Sequence, residues 1–431
     1  MKRDLFYQLE AWKTHPLRKP LIVRGARQVG KSWTVESFGK QFDHFICINF
    51  EKQISAKQLF HGDVNVKQLL ERLAVFTGKS ILPNKTLLFL DEIQECPEAI
   101  NYLRYFKEDF PELHVIAAGS LLDFELDKIG IPVGRVQFMY LHPLSFLEFL
   151  SATDNAGLRE AIEKKKIDAV LHQKVLELLR TYLWLGGMPA VVHAWIHHGK
   201  VEYCQELQDE ILQAYQQDFH KYAKHNQIEN VAKVFASVPH QLGNKFKYVH
   251  VDSELRSALL KQALFLLEKA CIVHICYHSS AQEQPLGATR NEKKFKVYFF
   301  DIGLAQRMLG LIDEAWLISP VTMRNLGKVA EQLVAQEFVA YSSVKSAPEL
   351  YYWHRESRSS NAEIDLVVTK KTDIVPIEIK SGKQGSMKSM YVFLDSHPRT
   401  RYGLKISDGL YARYENIQEI PLYGLKQWLD E

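Results

Sequence analysis

A chain of 431 residues exceeds what one ordinary hydrophobic core supports, so two or three domains are expected. Hydrophobic residues at 46% and charged residues at 24% exclude a disordered or low-complexity protein and indicate a soluble globular one. A formal net charge of +3 neither demands nor excludes nucleic acid, so any basic surface has to be local.

The N-terminal stretch MKRDLFYQLEAWK lacks a signal-peptide apolar core. No apolar run approaches the roughly 18 residues of a membrane span. Residues 20–120 alternate short β-branched or aromatic runs with helix-length segments such as Pro97–Asp109. The runs are Leu21–Arg24, Phe45–Phe50, Thr86–Leu90 and His114–Ala118. That alternation predicts a parallel sheet with helices on both faces. From 151 to 270 long helical patterns take over, among them Ala161–Arg180 and Val201–Tyr222. Trp184-Leu185-Gly186-Gly187-Met188-Pro189 reads as a structured turn between helices, and His193, His197 and His198 as surface residues. Residues 254–310 read helix, strand (Cys271–Tyr277), polar loop (His278–Lys294), strand (Phe295–Phe300), helix. This order fits the second half of a winged helix with the polar loop as the wing, and Arg290, Lys293, Lys294 and Lys296 lie either on a DNA-contacting wing or in a connector. A further α/β unit follows: a helix around Gly327–Tyr341, then strands Leu350–Trp353, Glu363–Val368 and Ile374–Ile379. The five cysteines have no CxxC pairing, and their odd number argues against a disulfide framework. Cys47, Cys271 and Cys276 lie in apolar runs and read as buried thiols, in keeping with a reducing, cytoplasmic setting.

Gly25-Ala26-Arg27-Gln28-Val29-Gly30-Lys31-Ser32 matches G-x-x-x-x-G-K-[ST] in full, between an apolar strand and a helical stretch. The glycines let successive backbone N–H groups face phosphates, and the helix N-terminus adds its positive dipole end. Lys31 would reach the β- and γ-phosphates of ATP, and Ser32 would ligate Mg²⁺. Downstream, Thr86-Leu-Leu-Phe-Leu-Asp91-Glu92 is an apolar strand ending in two acids. Asp91 would hold the Mg²⁺ through water or Ser32, and Glu92 would polarise the attacking water. Ser120, after the next strand, either senses the γ-phosphate or belongs to an ordinary turn. Arg135 is either an arginine finger reaching a neighbouring subunit of a homo-oligomer or an ordinary surface arginine.

The tail carries a metal-nuclease pattern. Asp365 lies on one strand (Glu363-Ile-Asp365-Leu-Val-Val) and Glu378 on the next (Pro376-Ile-Glu378-Ile-Lys380). In an antiparallel hairpin the two carboxylates can meet, and Lys380, two residues on, shares the face of Glu378. Asp365 and Glu378 would bind Mg²⁺, and Lys380 would position the nucleophilic water. Amphipathic strands with solvated charges are the alternative. Arg355, Arg358, Lys370, Lys371, Lys383, Lys388, Arg399 and Arg401 make the neighbourhood basic, as a phosphate-tracking surface or a solvated rim.

The strings LIVRGARQVGKS, LLFLDEIQ and LHPLSFLEFL, then KVYFFDIGLAQRMLG and the YYWH…EIDLVV…PIEIKSG tail, resemble a family of prokaryotic AAA+-type ATPases. Its members carry a C-terminal domain of unknown function. The resemblance implies a helical and winged-helix middle, then a fold similar to the PD-(D/E)XK nucleases, with Glu331 as the fourth member of the tail's site. Ser120 departs from the pattern, being followed by Leu121-Leu122 rather than a second small polar residue.

The expected architecture is thus α/β. Residues 1–150 form an AAA+-like P-loop NTPase domain, 151–225 a helical lid or connector and 226–315 a winged-helix-like domain. Residues 316–431 form a restriction-endonuclease-like domain. The expected function is ATP binding and hydrolysis coupled to action on DNA, through Mg²⁺-dependent cleavage or nucleotide-controlled binding. The alternative is an ATP-switched signalling or defence protein whose nuclease-like domain is only a scaffold.

Overall fold

The computed structural model describes residues 1–62, 64–130, 134–310, 327–342, 344–346, 348–355, 361–380 and 386–431. The described chain separates into two compact units: Met1–His142 with the short stretch around Val344, and the remainder from Pro143 onward. The boundary expected at 315/316 lies outside the described residues.

The first unit is built on five parallel strands: β1 (Leu21–Arg24), β2 (His44–Asn49), β3 (Thr86–Asp91), β4 (His114–Ala118) and β5 (Gln137–Tyr140), in the order β2-β3-β4-β1-β5. β1, β3 and β4 occupy the interior of the sheet, which is why they read as unbroken apolar runs rather than alternating ones. Ile46, Ile48, Leu88, Leu90 and Val115 pack under Leu69, Leu73, Ile100, Leu103 and Phe106 of the helices Val66–Thr77 and Pro97–Asp109. The first helix is capped by Asn65, whose side chain accepts from the Gln68 N–H, and ends at Gly78 in the left-handed region. β5 is a strand the sequence reading missed. It is four residues long, and its outer edge is met by the loop at Val344, whose carbonyl accepts from the Tyr140 N–H at 2.9 Å.

The second unit begins with helices. The expected helix over Ala161–Arg180 is two helices, Ala156–Glu163 and Ala169–Leu185. The break falls where Lys165 adopts φ 53° and the Asp168 carboxylate caps the Leu171 N–H at 2.8 Å. A single-period reading passed over this cap signal. The Gly186-Gly187 turn is held by the buried Asp301, which accepts from the Gly187 N–H at 2.7 Å. His193, His197 and His198 are exposed, as read.

The strands of this unit form one mixed sheet. They are β6 (Val273–Ser279), β7 (Arg290–Phe299), β8 (Leu350–Arg355), β9 (Ala362–Lys370), β10 (Asp373–Lys380), β11 (Gly403–Ser407), β12 (Ala412–Tyr414) and β13 (Ile417–Pro421). The order is β12-β13-β11-β10-β9-β8-β6-β7. The polar loop expected as the wing of a winged helix, or as part of a connector, joins β6 and β7 in a hairpin that continues the C-terminal sheet through parallel pairing of β6 with β8. An apolar strand such as β6 leaves backbone donors and acceptors open on its free edge, and β8 satisfies them. The expected polar loop is also shorter, because residues 290–294 extend β7. All five cysteines are unbridged. Cys276 is buried as read, but Cys47 and Cys271 are only half-buried.

Candidate functional site

The loop between β1 and the helix Lys31–Gly39 turns through positive φ at Gly25, Gln28 and Gly30. Gly25 has φ 141°, and a Cβ there would lie 2.0 Å from the Leu141 carbonyl oxygen. Gly30 has φ 95°. The Lys31 ammonium donates to the carbonyls of Gly25 at 2.9 Å and Ala26 at 2.7 Å, so the cation lies across its own loop. Arg3 braces the loop from outside the motif. This buried guanidinium donates to the Val29 carbonyl at 2.7 Å and to the His142 carbonyl at 2.6 Å.

The parallel register of β2 and β3 sets Asn49 beside Asp91. The Ser32 hydroxyl donates to Asp91 Oδ1 at 3.0 Å and Asn49 Nδ2 to Asp91 Oδ2 at 2.8 Å. Burial raises the Asp91 carboxyl above its ordinary range, and the bonds from Ser32 and Asn49 oppose that by favouring the anion. Ser32 and Asp91 thus present hard oxygens side by side, a pairing that suits Mg²⁺. Glu92 follows at φ 50°, and Gln94 Nε2 donates to its Oε2 at 2.7 Å. Asp91 pairs with Ala118 in β4, so Gly119 and the half-buried Ser120 leave the sheet at the same end as Glu92. A Cβ on Gly119 would meet Gln94 Oε1 at 2.1 Å. Arg135 pairs with Glu108 at 2.7 Å, beside the Arg104–Glu108 pair at 3.1 Å. It is engaged within its own unit.

Asn49 and Arg3 escaped the sequence reading. A polar residue closing the apolar run His44–Asn49 was the signal for Asn49. Nothing local marked Arg3.

The second constellation lies on β9 and β10. These strands are antiparallel with Leu366 opposite Ile377, so the neighbouring pair across the ladder is Asp365 and Glu378. The Ile379 N–H donates to Asp365 Oδ2 at 2.8 Å and the Lys380 ammonium to Glu378 Oε1 at 2.5 Å. Glu331, on the helix Gly327–Tyr341, accepts from the Tyr298 hydroxyl at 2.5 Å and from the Lys296 ammonium at 2.8 Å. Lys296 also pairs with Glu363 at 2.7 Å and lies 4.0 Å from Asp365 Oδ1. It is therefore not a wing residue: its side chain is 1% exposed, and only Arg290 to Lys293 of that stretch are on the surface.

Burial, then repulsion from Glu331 and Glu378, lifts the Asp365 carboxyl well above its ordinary range. Burial raises Glu378 as well. Burial opposes the charge on Lys296, but Glu331, Asp365 and Glu363 outweigh it and hold the ammonium above the ordinary lysine range. Among the described residues, no group of three or more His, Cys, Asp or Glu side chains is arranged to hold a metal ion. Lys296 and Tyr298 both engage Glu331 Oε1. Glu378 Oε2 is buried without a hydrogen-bond partner, and Asp365 Oδ1 faces the Lys296 ammonium at 4.0 Å. Two carboxylate oxygens with retained waters are an ordinary seat for Mg²⁺, so these residues fit the ion.

The expected basic rim is partly consumed. Lys370 lies 4.3 Å over the Trp428 ring, Lys371 bonds to the Glu431 carbonyl, and Arg401 pairs with Asp373 at 3.6 Å. Arg358 and Lys383 lie outside the described residues. No helix among the described residues is long and apolar enough to cross a membrane.

Residues 17–150 match the family described as an AAA domain. With the parallel sheet and the phosphate loop, this makes the N-terminal unit a P-loop ATPase domain of AAA+ type. Residues 176–315 match a domain of unknown function (DUF8612) and residues 326–425 another (DUF4143). No curated protein matches the sequence. Among solved structures, the Walker-type ATPase PABY2304 of Pyrococcus abyssi is similar over 72% of this chain and 95% of its own, at 13% identity and TM-score 0.45. The Aeropyrum pernix ORC1 protein in complex with DNA is similar over 71% of this chain and 90% of its own, at 11% identity and TM-score 0.27. Drosophila ORC bound to DNA is similar over 71% and 85%, at 14% identity and TM-score 0.25.

Proposed function

We propose that this protein binds and hydrolyses ATP at its N-terminal loop and uses the C-terminal carboxylate pair for Mg²⁺-dependent cleavage of a DNA phosphodiester. In the first site Lys31 and the loop N–H groups take the phosphates, Ser32 and Asp91 hold the Mg²⁺, and Glu92, aimed by Gln94, orients the attacking water. In the second, Asp365 and Glu378 hold the ion while Lys380 positions the nucleophilic water. The bound ion would polarise the phosphoryl group and stabilise the charge that develops on it. The observation that carries the reading is the unpartnered, buried Glu378 Oε2 opposite Asp365. An unsatisfied carboxylate oxygen in a low-dielectric site costs stability unless a cation or donor meets it.

A second reading has a specific observation behind it. The Lys296 ammonium already neutralises part of the cluster, as a scaffold that binds nucleic acid or protein without cutting it would need. Plasmid, linear duplex and single-stranded DNA, incubated with Mg²⁺ with and without ATP, separate the two. Under the cleavage reading Asp365→Asn and Glu378→Gln abolish cutting and spare the ATPase rate. No cutting by the unmutated protein on any substrate would favour the scaffold.

A further inference from the structure

Lys296 is the residue of the C-terminal cluster that neither the D…ExK spacing nor the proposed reaction calls for. It lies on β7, 35 positions ahead of Glu331, and is all but inaccessible to water. An ammonium has three donors and no acceptor. Here one goes to Glu331 and one to Glu363, and Asp365 Oδ1 stands further off at 4.0 Å. The ring of Tyr352 lies 5.3 Å from the same nitrogen, and the Tyr298 hydroxyl donates to Glu331 Oε1, the oxygen that Lys296 also engages. Four carboxylates (Glu331, Glu363, Asp365, Glu378) therefore face two ammoniums (Lys296, Lys380), leaving a formal excess of two negative charges. That excess is the charge of one divalent ion. The oxygens that could meet it are Glu378 Oε2, which has no hydrogen-bond partner, and Asp365 Oδ1, which lies 4.0 Å from Lys296 and beyond hydrogen-bond reach of it.

We propose that Lys296 is a positioning residue of this site: a fixed internal cation that claims Glu331 and Glu363 and so restricts the site to a single divalent ion on Asp365 and Glu378. The single-ion clause rests on the Mg²⁺ reading given above, whereas the counter-ion role does not. Phosphodiester-cleaving sites with two metals need carboxylates placed to bridge ions about 3.5–4 Å apart. An ammonium bonded to the outlying carboxylates stands where a second ion would have to draw its ligands. It also ties the β6–β7 hairpin to the helix Gly327–Tyr341, so Glu331 acts through Lys296 and not on the metal.

The test uses the full chain, free of nucleotide and carrying Asp91→Asn so that the ATP site holds no metal, with Mn²⁺ as the probe. Binding is counted by electron paramagnetic resonance, and thermal unfolding is followed in the metal-free protein. The expected result is one Mn²⁺ per chain. Lys296→Met should release Glu331 and Glu363, raise the count to two and lower Tm in the absence of metal. Lys296→Arg, which keeps the charge, should return the count to one. If Lys296→Met does not fold, Lys296→Met with Glu331→Gln removes both partners together. That double variant should recover Tm and one Mn²⁺, because neither group is left buried and alone. An unchanged count and an unchanged Tm in Lys296→Met would overturn the proposal, as would losses in the double variant that simply add. A parent that takes up no Mn²⁺ sinks the Mg²⁺ reading and the single-ion clause with it. The counter-ion role is then decided by the Tm values of the single and double variants.

Discussion

Glu337 sits on the same helix as Glu331, six residues further on, and its carboxylate is buried against the start of another helix. It accepts from the Phe146 N–H at 3.0 and 3.2 Å and from the Tyr182 hydroxyl at 3.1 Å. Burial raises its pKa from 4.5 to about 7, and the bonds from Tyr341, Phe146 and Tyr182 only partly oppose that. The native state therefore holds a proton that the unfolded chain has lost between pH 4.5 and about 7. Stability from this group is fully present below pH 4.5 and drains away as pH rises through 7. At about 1.4 kcal/mol per pKa unit, the loss across that window is about 3 kcal/mol. Glu337→Gln replaces the carboxyl by an amide of the same shape that cannot ionise. Its urea stability relative to the unmutated protein should thus improve by about 3 kcal/mol between pH 5 and pH 8. Tryptophan fluorescence suits the assay, since Trp184 and Trp428 are buried in this unit, and the transition of this unit is the one to fit. Parallel pH curves for the two proteins would refute the reasoning, and would mean that the hydrogen bonds already keep Glu337 ionised.

Three further outcomes follow from the nucleotide site. Lys31→Ala should abolish binding of a labelled ATP analogue in a folded protein, because the phosphates lose their principal cation; unchanged affinity would remove the phosphate-loop assignment. Glu92→Gln should bind ATP and lose turnover by about 100-fold or more, the scale of a lost general base, and a wild-type rate would take Glu92 out of that role. Arg3→Ala leaves the Val29 and His142 carbonyls without their donor, at about 1–3 kcal/mol, and should weaken ATP binding as well as lower Tm; a Tm loss with unaltered nucleotide affinity would limit Arg3 to packing.

What the sequence determined by itself was the pattern that contiguous residues carry. A phosphate loop works through eight successive positions between a strand and a helix, so Gly25 to Ser32 could be read directly, and the acids closing Thr86–Asp91 followed. Asp365, Glu378 and Lys380 were legible for a related reason: period-two spacing assigns faces, and a short turn forces adjacent strands together. Tertiary structure alone decided which distant residues complete these sites. Arg3 meets the loop across 26 positions, and Asn49 reaches Asp91 through the register of parallel strands that a helical crossover separates. Lys296 shows the limit most clearly. Its alternation with Phe295 and Val297 says that it points away from their face, and in a lone hairpin that face would meet solvent. The helix Gly327–Tyr341 covers it instead, because β6 pairs with β8 and the hairpin becomes part of a larger sheet. Strand periodicity records which residues share a face, whereas only long-range packing decides whether that face meets water, a helix or a ring of carboxylates.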